Sequence, residues 1–231
     1  MTLEDVPVET PSARRLRLLE LGLVLLVAFG DSVLTSLAAW WDDTPPVYDE
    51  SAVDHLYRIL HATVSLGVLA YVLFRQERRL RDLGLTAERR DITATIALTI
   101  LGFLPTIALS KSFYGHLYTG ALAHPLASFA GGMRLGPLLI AALLASAALE
   151  ELIVRAYLMT EVATLTGRME LAVLASTVLQ TTYHLYQGMP AALLSGCVFL
   201  IASIYYASTR RITPVILSHF LYNLLIFGAP G

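Results

Sequence analysis

Charge is scarce in this chain. Asp, Glu, Lys and Arg make up 15% of its 231 residues, where soluble domains carry about 25%. Apolar residues reach 56% and the mean hydropathy is +0.64. A soluble core of this length cannot hide so much apolar surface, because a small protein leaves much of its surface exposed. Lipid is the solvent that suits it. Cysteine is nearly absent: Cys197 stands alone, which excludes an internal disulfide framework and a thiolate zinc site. Excess positive charge is missing too. The net charge is −2, so nothing argues for nucleic acid or another polyanionic partner. No internal repeat or low-complexity tract is evident.

What the chain has is long apolar runs. Crossing the hydrocarbon core takes about 20 apolar residues, and seven segments approach or exceed that: 18–41, 55–74, 92–110, 135–160, 171–187, 190–207 and 212–227. The first follows Arg14, Arg15 and Arg17, but it outruns the ~7–15 apolar residues of a signal-peptide core and lacks a clean cleavage pattern. It reads as a membrane span. The fifth and sixth are parted only by Gly188-Met189-Pro190 and should form a tight helical hairpin. The expected fold class is all-α, a polytopic transmembrane helical bundle of about seven spans. Its expected divisions are a cytoplasmic tail at 1–17, membrane helices at 18–110, an extracytoplasmic loop or interfacial helix at 111–134, and a C-terminal helical core at 135–228.

The connectors alternate in charge as the positive-inside rule requires. Arg14, Arg15 and Arg17 precede the first span, and the next loop, with Asp42, Asp43, Asp49, Glu50 and Asp54, is acidic. Six arginines from Arg75 to Arg90 crowd the second connector; Arg168 follows the fourth span; Arg210 and Arg211 precede the seventh. With a cytoplasmic N-terminus, all four basic groups fall inside a seven-span protein.

Ionisable groups at membrane depth are costly and so mark candidate sites. Glu150, Glu151 and Arg155 share one apolar helix. Glu151 and Arg155 are four residues apart and stack on one face as an ion pair. Glu150 lies about 100° round the helix from Glu151 and about 140° from Arg155, which leaves it free to face a cavity as a general base. A structural ion-pair cluster is the plainer account, but two acids against one base leave a charge that structure alone does not need. His184 lies near the end of the fifth span, where Tyr183 and Tyr186 favour an interfacial histidine. His219 and Asn223 are four apart in the seventh span. Each alone could serve as polar glue between helices; together they offer hydrogen bonds to one point, as an oxyanion site needs. Asp31, His55, His61, Lys111, His116 and His124 read as background, with Asp31 the least easily explained.

At these residues the chain resembles the CPBP family of intramembrane proteases, which includes CAAX prenyl endopeptidases, Abi proteins and bacteriocin-processing relatives. The family pattern is Glu-Glu-x-x-x-Arg, then a histidine on a later helix, then His-x-x-x-Asn or Asp near the C-terminus. Here it stands as Glu150-Glu151-Leu152-Ile153-Val154-Arg155, Tyr183-His184, and His219-Phe220-Leu221-Tyr222-Asn223. The resemblance covers about residues 130–228. Val154 and Ala156 replace the usual Phe and Gly around the Arg, and Gln180 stands where a Phe is common four residues before the His.

The resemblance implies an intramembrane endopeptidase whose catalytic residues are Glu150, His184, His219 and Asn223. Glu150 and His184 would activate a water, His219 and Asn223 would stabilise the oxyanion, and Glu151 and Arg155 would shape the site. It implies no required cofactor, although Glu150, His184 and His219 could hold zinc. The implied partners are the lipid bilayer and a peptide or lipidated-protein substrate. The expected location is a bacterial or archaeal plasma membrane. The rival expectations are a zinc-dependent version of the same protease, a transporter, and a non-catalytic scaffold of the same fold.

Overall fold

The computed structural model describes residues 10–42, 51–109 and 136–227. Every long element among them is a helix, and no strand occurs there. Thr10 caps α1 (Pro11–Trp41), its hydroxyl accepting from the Ala13 amide, with Pro11 pre-set for the first turn. Ser51 caps α2 (Ala52–Arg75) by accepting from Asp54 N–H. A short 3₁₀ turn, Leu80–Leu83, leads into α3 (Arg90–Leu109). The fourth helix, α4 (Pro137–Thr166), is continuous over 30 residues but changes its winding midway. Residues Glu151–Leu158 form a π-helix, and all eight are buried. Next come α5 (Met169–Tyr183), a 3₁₀ turn at Leu185–Gln187, α6 (Met189–Thr209) and α7 (Thr213–Phe227).

The seven helices of the described residues coincide with the seven apolar segments of the sequence, with shifted ends. α4 runs past residue 160 because its stop is Gly167, whose φ of +70° closes the helix. α5 ends at Tyr183, and the chain turns back through Gly188 (φ +87°, ψ 152°), a conformation close to glycine's own. α1, α2, α4 and α6 are long and apolar enough to cross a bilayer; α7 is a shorter apolar helix. The expected loop or interfacial helix at 111–134, with Lys111, His116 and His124, lies outside the described residues.

Polarity is inverted relative to a soluble protein. Leu19, Leu26, Leu34, Trp41 and Phe74 are 68–82% exposed, on outward faces that suit lipid. Arg155, Glu151, Glu161, Gln180, Ser176 and Ser203 are fully buried or nearly so. α2 packs on α4, α5 on α6, α3 on α7, and α1 against α5. With its lipid-facing exterior and polar interior, the chain is an integral membrane protein.

Charges knit one end of the bundle. Buried Glu161 near the end of α4 pairs with Arg78 and, at 3.6 Å, with Arg17 of α1. Glu20 accepts from Gln76 at 2.9 Å. Arg211, just before α7, bonds Asp91 of α3 and Glu88 beside it. Gly84, at φ +84°, lies so close to the Arg210 carbonyl that a Cβ there would sit 1.9 Å from the oxygen. The four basic groups that the sequence alternation separates therefore share one end.

Candidate active site

The polar residues of the last four helices converge on one cavity of about 580 Å³, within the usual size range of small-ligand pockets. Glu150, Glu151, Arg155, His184, His219 and Asn223 all line it. The four catalytic candidates and both supporting residues are thus brought together. Leu98, Leu149, Leu194 and Val198 supply apolar wall between them.

Glu150 is half-buried, at the junction of the α and π segments of α4. Gln180 Nε2 donates to its Oε2 at 3.0 Å, and Tyr183 Oη donates to the same oxygen at 2.7 Å. Both donors come from α5, one turn apart, and both bonds end on Oε2. Oε1 is left to the cavity.

The two histidines are oriented by acceptors. His184 Nδ1 lies 2.8 Å from the Gln180 carbonyl, and His219 Nδ1 lies 2.7 Å from Glu151 Oε1. A carbonyl and a carboxylate can only accept, so each Nδ1 carries a proton and donates it. In the neutral ring each Nε2 is then a bare acceptor. His219 therefore becomes a donor through Nε2 only as the imidazolium. Phe199 packs between the rings, with centroids 4.8 Å from His184 and 6.5 Å from His219.

Arg155 is 0% exposed. Its Nε faces Glu151 Oε2 at 3.3 Å, and its guanidinium carbon stands 5.0 Å from the Phe199 ring centroid, within cation–π range. The ion pair expected from α-helical spacing survives the π winding. Glu151 thereby serves two partners, Arg155 on one oxygen and His219 on the other.

Several contributors were not singled out from sequence. Gln180 registered only as a departure from the family pattern, and Tyr183 as an interfacial aromatic. Ser36 of α1, 1% exposed, donates to the Thr182 carbonyl at 3.0 Å and accepts from Tyr186 N–H at 2.8 Å. These two bonds bracket His184. Phe29 of α1 stacks on Tyr183 with centroids 4.9 Å apart. Asp31 and His61, read as background, line the cavity as well. No local pattern could have revealed Ser36 or Phe29, because their contacts reach across about 150 residues of chain.

Two bare ring nitrogens and a carboxylate are also the donor chemistry of an open zinc site. Among the described residues no three His, Cys, Asp or Glu side chains form a group able to hold a metal ion.

A bundle of lipid-facing helices closed around a carboxylate and two oriented imidazoles defines the class, an integral membrane protein with an enzyme-like interior. Residues 133–225 match the model of the Rce1-like family, described as type II CAAX prenyl endopeptidase. This matched segment holds all six candidate residues. No curated protein and no solved structure matches the chain.

Proposed function

We propose that this protein is a glutamate-dependent intramembrane endopeptidase that cleaves a membrane-associated peptide with an activated water. The observation that carries the reading is the set of free atoms at one cavity: Oε1 of Glu150 and the Nε2 atoms of His184 and His219. The water sits between Glu150 and His184, giving one hydrogen bond to Oε1 and one to the bare Nε2. As its oxygen adds to the scissile carbonyl, its proton passes to Glu150. The negative oxygen that forms faces the Asn223 amide and His219, protonated on both nitrogens and held by Glu151. Glu150 then gives its proton to the departing amine, which restores the carboxylate. Arg155 balances Glu151 where water is absent.

The basic end of the bundle faces the cytoplasm in this reading, as the positive-inside rule requires, and the N-terminus lies there.

The test uses purified protein in proteoliposomes and a fluorogenic peptide bearing a farnesylated cysteine near its C-terminus. Wild type should cleave it, and Glu150→Gln should not, with both proteins equally folded. Full cleavage by Glu150→Gln overturns the mechanism. Loss of wild-type activity on chelation, restored by zinc, favours the metal-dependent protease instead.

A further inference from the structure

α6 turns one stripe of its surface inward: Ala192, Gly196, Phe199, Ser203 and Tyr206 are buried at three- and four-residue spacing. On either side of Phe199 that stripe is small and presses against α5. A Cβ on Gly196 would stand 2.7 Å from the Thr181 hydroxyl, and Ser203 Oγ lies 3.2 Å from Ser176 Oγ. Phe199 comes between these two close approaches, and its ring forms part of the cavity wall.

Three groups of the site meet that ring. The Arg155 guanidinium carbon stands 5.0 Å from its centroid, and the imidazoles of His184 and His219 stand 4.8 and 6.5 Å away. The guanidinium has few other holds. Glu151 faces it at Nε, 3.3 Å away, while Nη1 and Nη2 have no hydrogen-bond partner among the described residues. An enclosed cation of this kind is drawn to the electron-rich face of an aromatic ring, most strongly where water is absent. Each imidazole, in turn, is bonded at Nδ1. A ring fixed at one nitrogen can still swing about that bond, and a flat neighbour removes the freedom.

We infer that Phe199 is a positioning residue of the active site. Its face holds the Arg155 cation, and its ring fixes the angles at which the two imidazoles present Nε2 to the cavity. Arg155 orients Glu151, and Glu151 bonds His219. Phe199 thus acts on His219 by two routes, directly and through the ion pair. An aliphatic side chain of similar bulk would fill the space without supplying the attraction, which depends on electron density at the ring face. The positioning role rests on the protease reading; the contact between ring and cation does not.

Fluorination tests this, because it drains the ring face and leaves the shape nearly unchanged. Phenylalanines bearing one, two or three ring fluorines replace Phe199 by nonsense suppression. The same series at Phe74, an exposed residue, is the control. On the farnesylated peptide kcat should fall stepwise at Phe199, by about tenfold with three fluorines, with KM unchanged. The Phe74 series should stay at the wild-type rate. A trifluorinated Phe199 as fast as wild type overturns the positioning role. Unfolding by SDS titration needs no cleavage: fluorination at Phe199 should weaken the wild type stepwise and leave Arg155→Met unchanged. Equal losses in the two backgrounds overturn the ring–cation contact. A protein that showed this difference yet cleaved nothing would overturn the protease reading and leave the contact standing.

Discussion

His219 Nδ1 and Glu151 Oε1 stand 2.7 Å apart, and this bond ties the last helix to the π segment of α4. The same carboxylate faces Arg155, which is fully enclosed. Removing Glu151 therefore strands a buried cation and frees an imidazole together. Glu151→Leu should destabilise the protein by about 3–5 kcal/mol, the usual cost of breaking a buried pair. Adding Arg155→Met removes the orphaned charge and should recover much of that loss, while activity stays absent in both variants. Unfolding by SDS titration in mixed micelles checks it. A double variant less stable than the single one would show that the pair is not the source of the cost.

Ser36 makes a different kind of prediction, because it touches neither cavity donor directly. Its two bonds flank His184 at the break between α5 and the 3₁₀ turn. Ser36→Ala keeps the helix and the volume but releases that break. Misplacing a reacting group by about 1 Å can cost about a hundredfold in rate, so a fall in kcat of about tenfold or more is expected, with KM unchanged. Deuterium uptake in the segment 182–188 should rise in the same variant. Ser208→Ala, an exposed serine bonded within its own helix, serves as the control and should change neither. A rise in KM alone would place Ser36 on the substrate path and not behind His184.

Much of this architecture was legible because membrane helices advertise themselves by hydropathy, and because charges inside them are rare enough to count. The Glu150, Glu151 and Arg155 arithmetic survived although the segment is π-wound, since residues four apart still meet when the turn widens. Three things were hidden. The tautomers of His184 and His219 depend on acceptors supplied by tertiary contact and by a carbonyl one turn back. The role of α1 depends on its lying against α5. Asp31 had no partner in its own span, and the structure places it on the cavity wall.

At the basic end the Arg211 and Arg90 guanidiniums hold the Glu88 carboxyl below the usual carboxylate range, with the Arg211 bond the larger cause. A carboxylate whose folded value lies below its unfolded one stabilises the fold above the unfolded value, about 4.3 for Glu, and loses that contribution as pH falls through the folded one. Wild type should therefore lose its margin over Glu88→Gln as the pH drops below about 4.3. Glu88 is solvent-exposed, so added salt should shrink the difference at neutral pH. Thermal unfolding in detergent across pH 3–7 measures both. A margin that grew towards acid would contradict the assignment.

The last prediction concerns the two donors on Glu150. Tyr183→Phe removes the 2.7 Å bond but keeps the ring, which Phe29 holds by stacking. Gln180→Met removes the 3.0 Å bond at similar volume. Hydrogen bonds to charged groups are worth about 1.5–3 kcal/mol, and here they fix which carboxylate oxygen is left to the cavity. Either change should lower kcat about tenfold with KM little altered, the pattern of an interaction that matters in the transition state. Because both bonds share Oε2, the double variant should lose more than the product of the single effects: one remaining donor still holds the carboxylate, and none leaves it free to rotate. Steady-state kinetics on the farnesylated peptide decide it. If the two effects simply multiplied, each donor would act on its own and the shared clamp on Oε2 would be the wrong description.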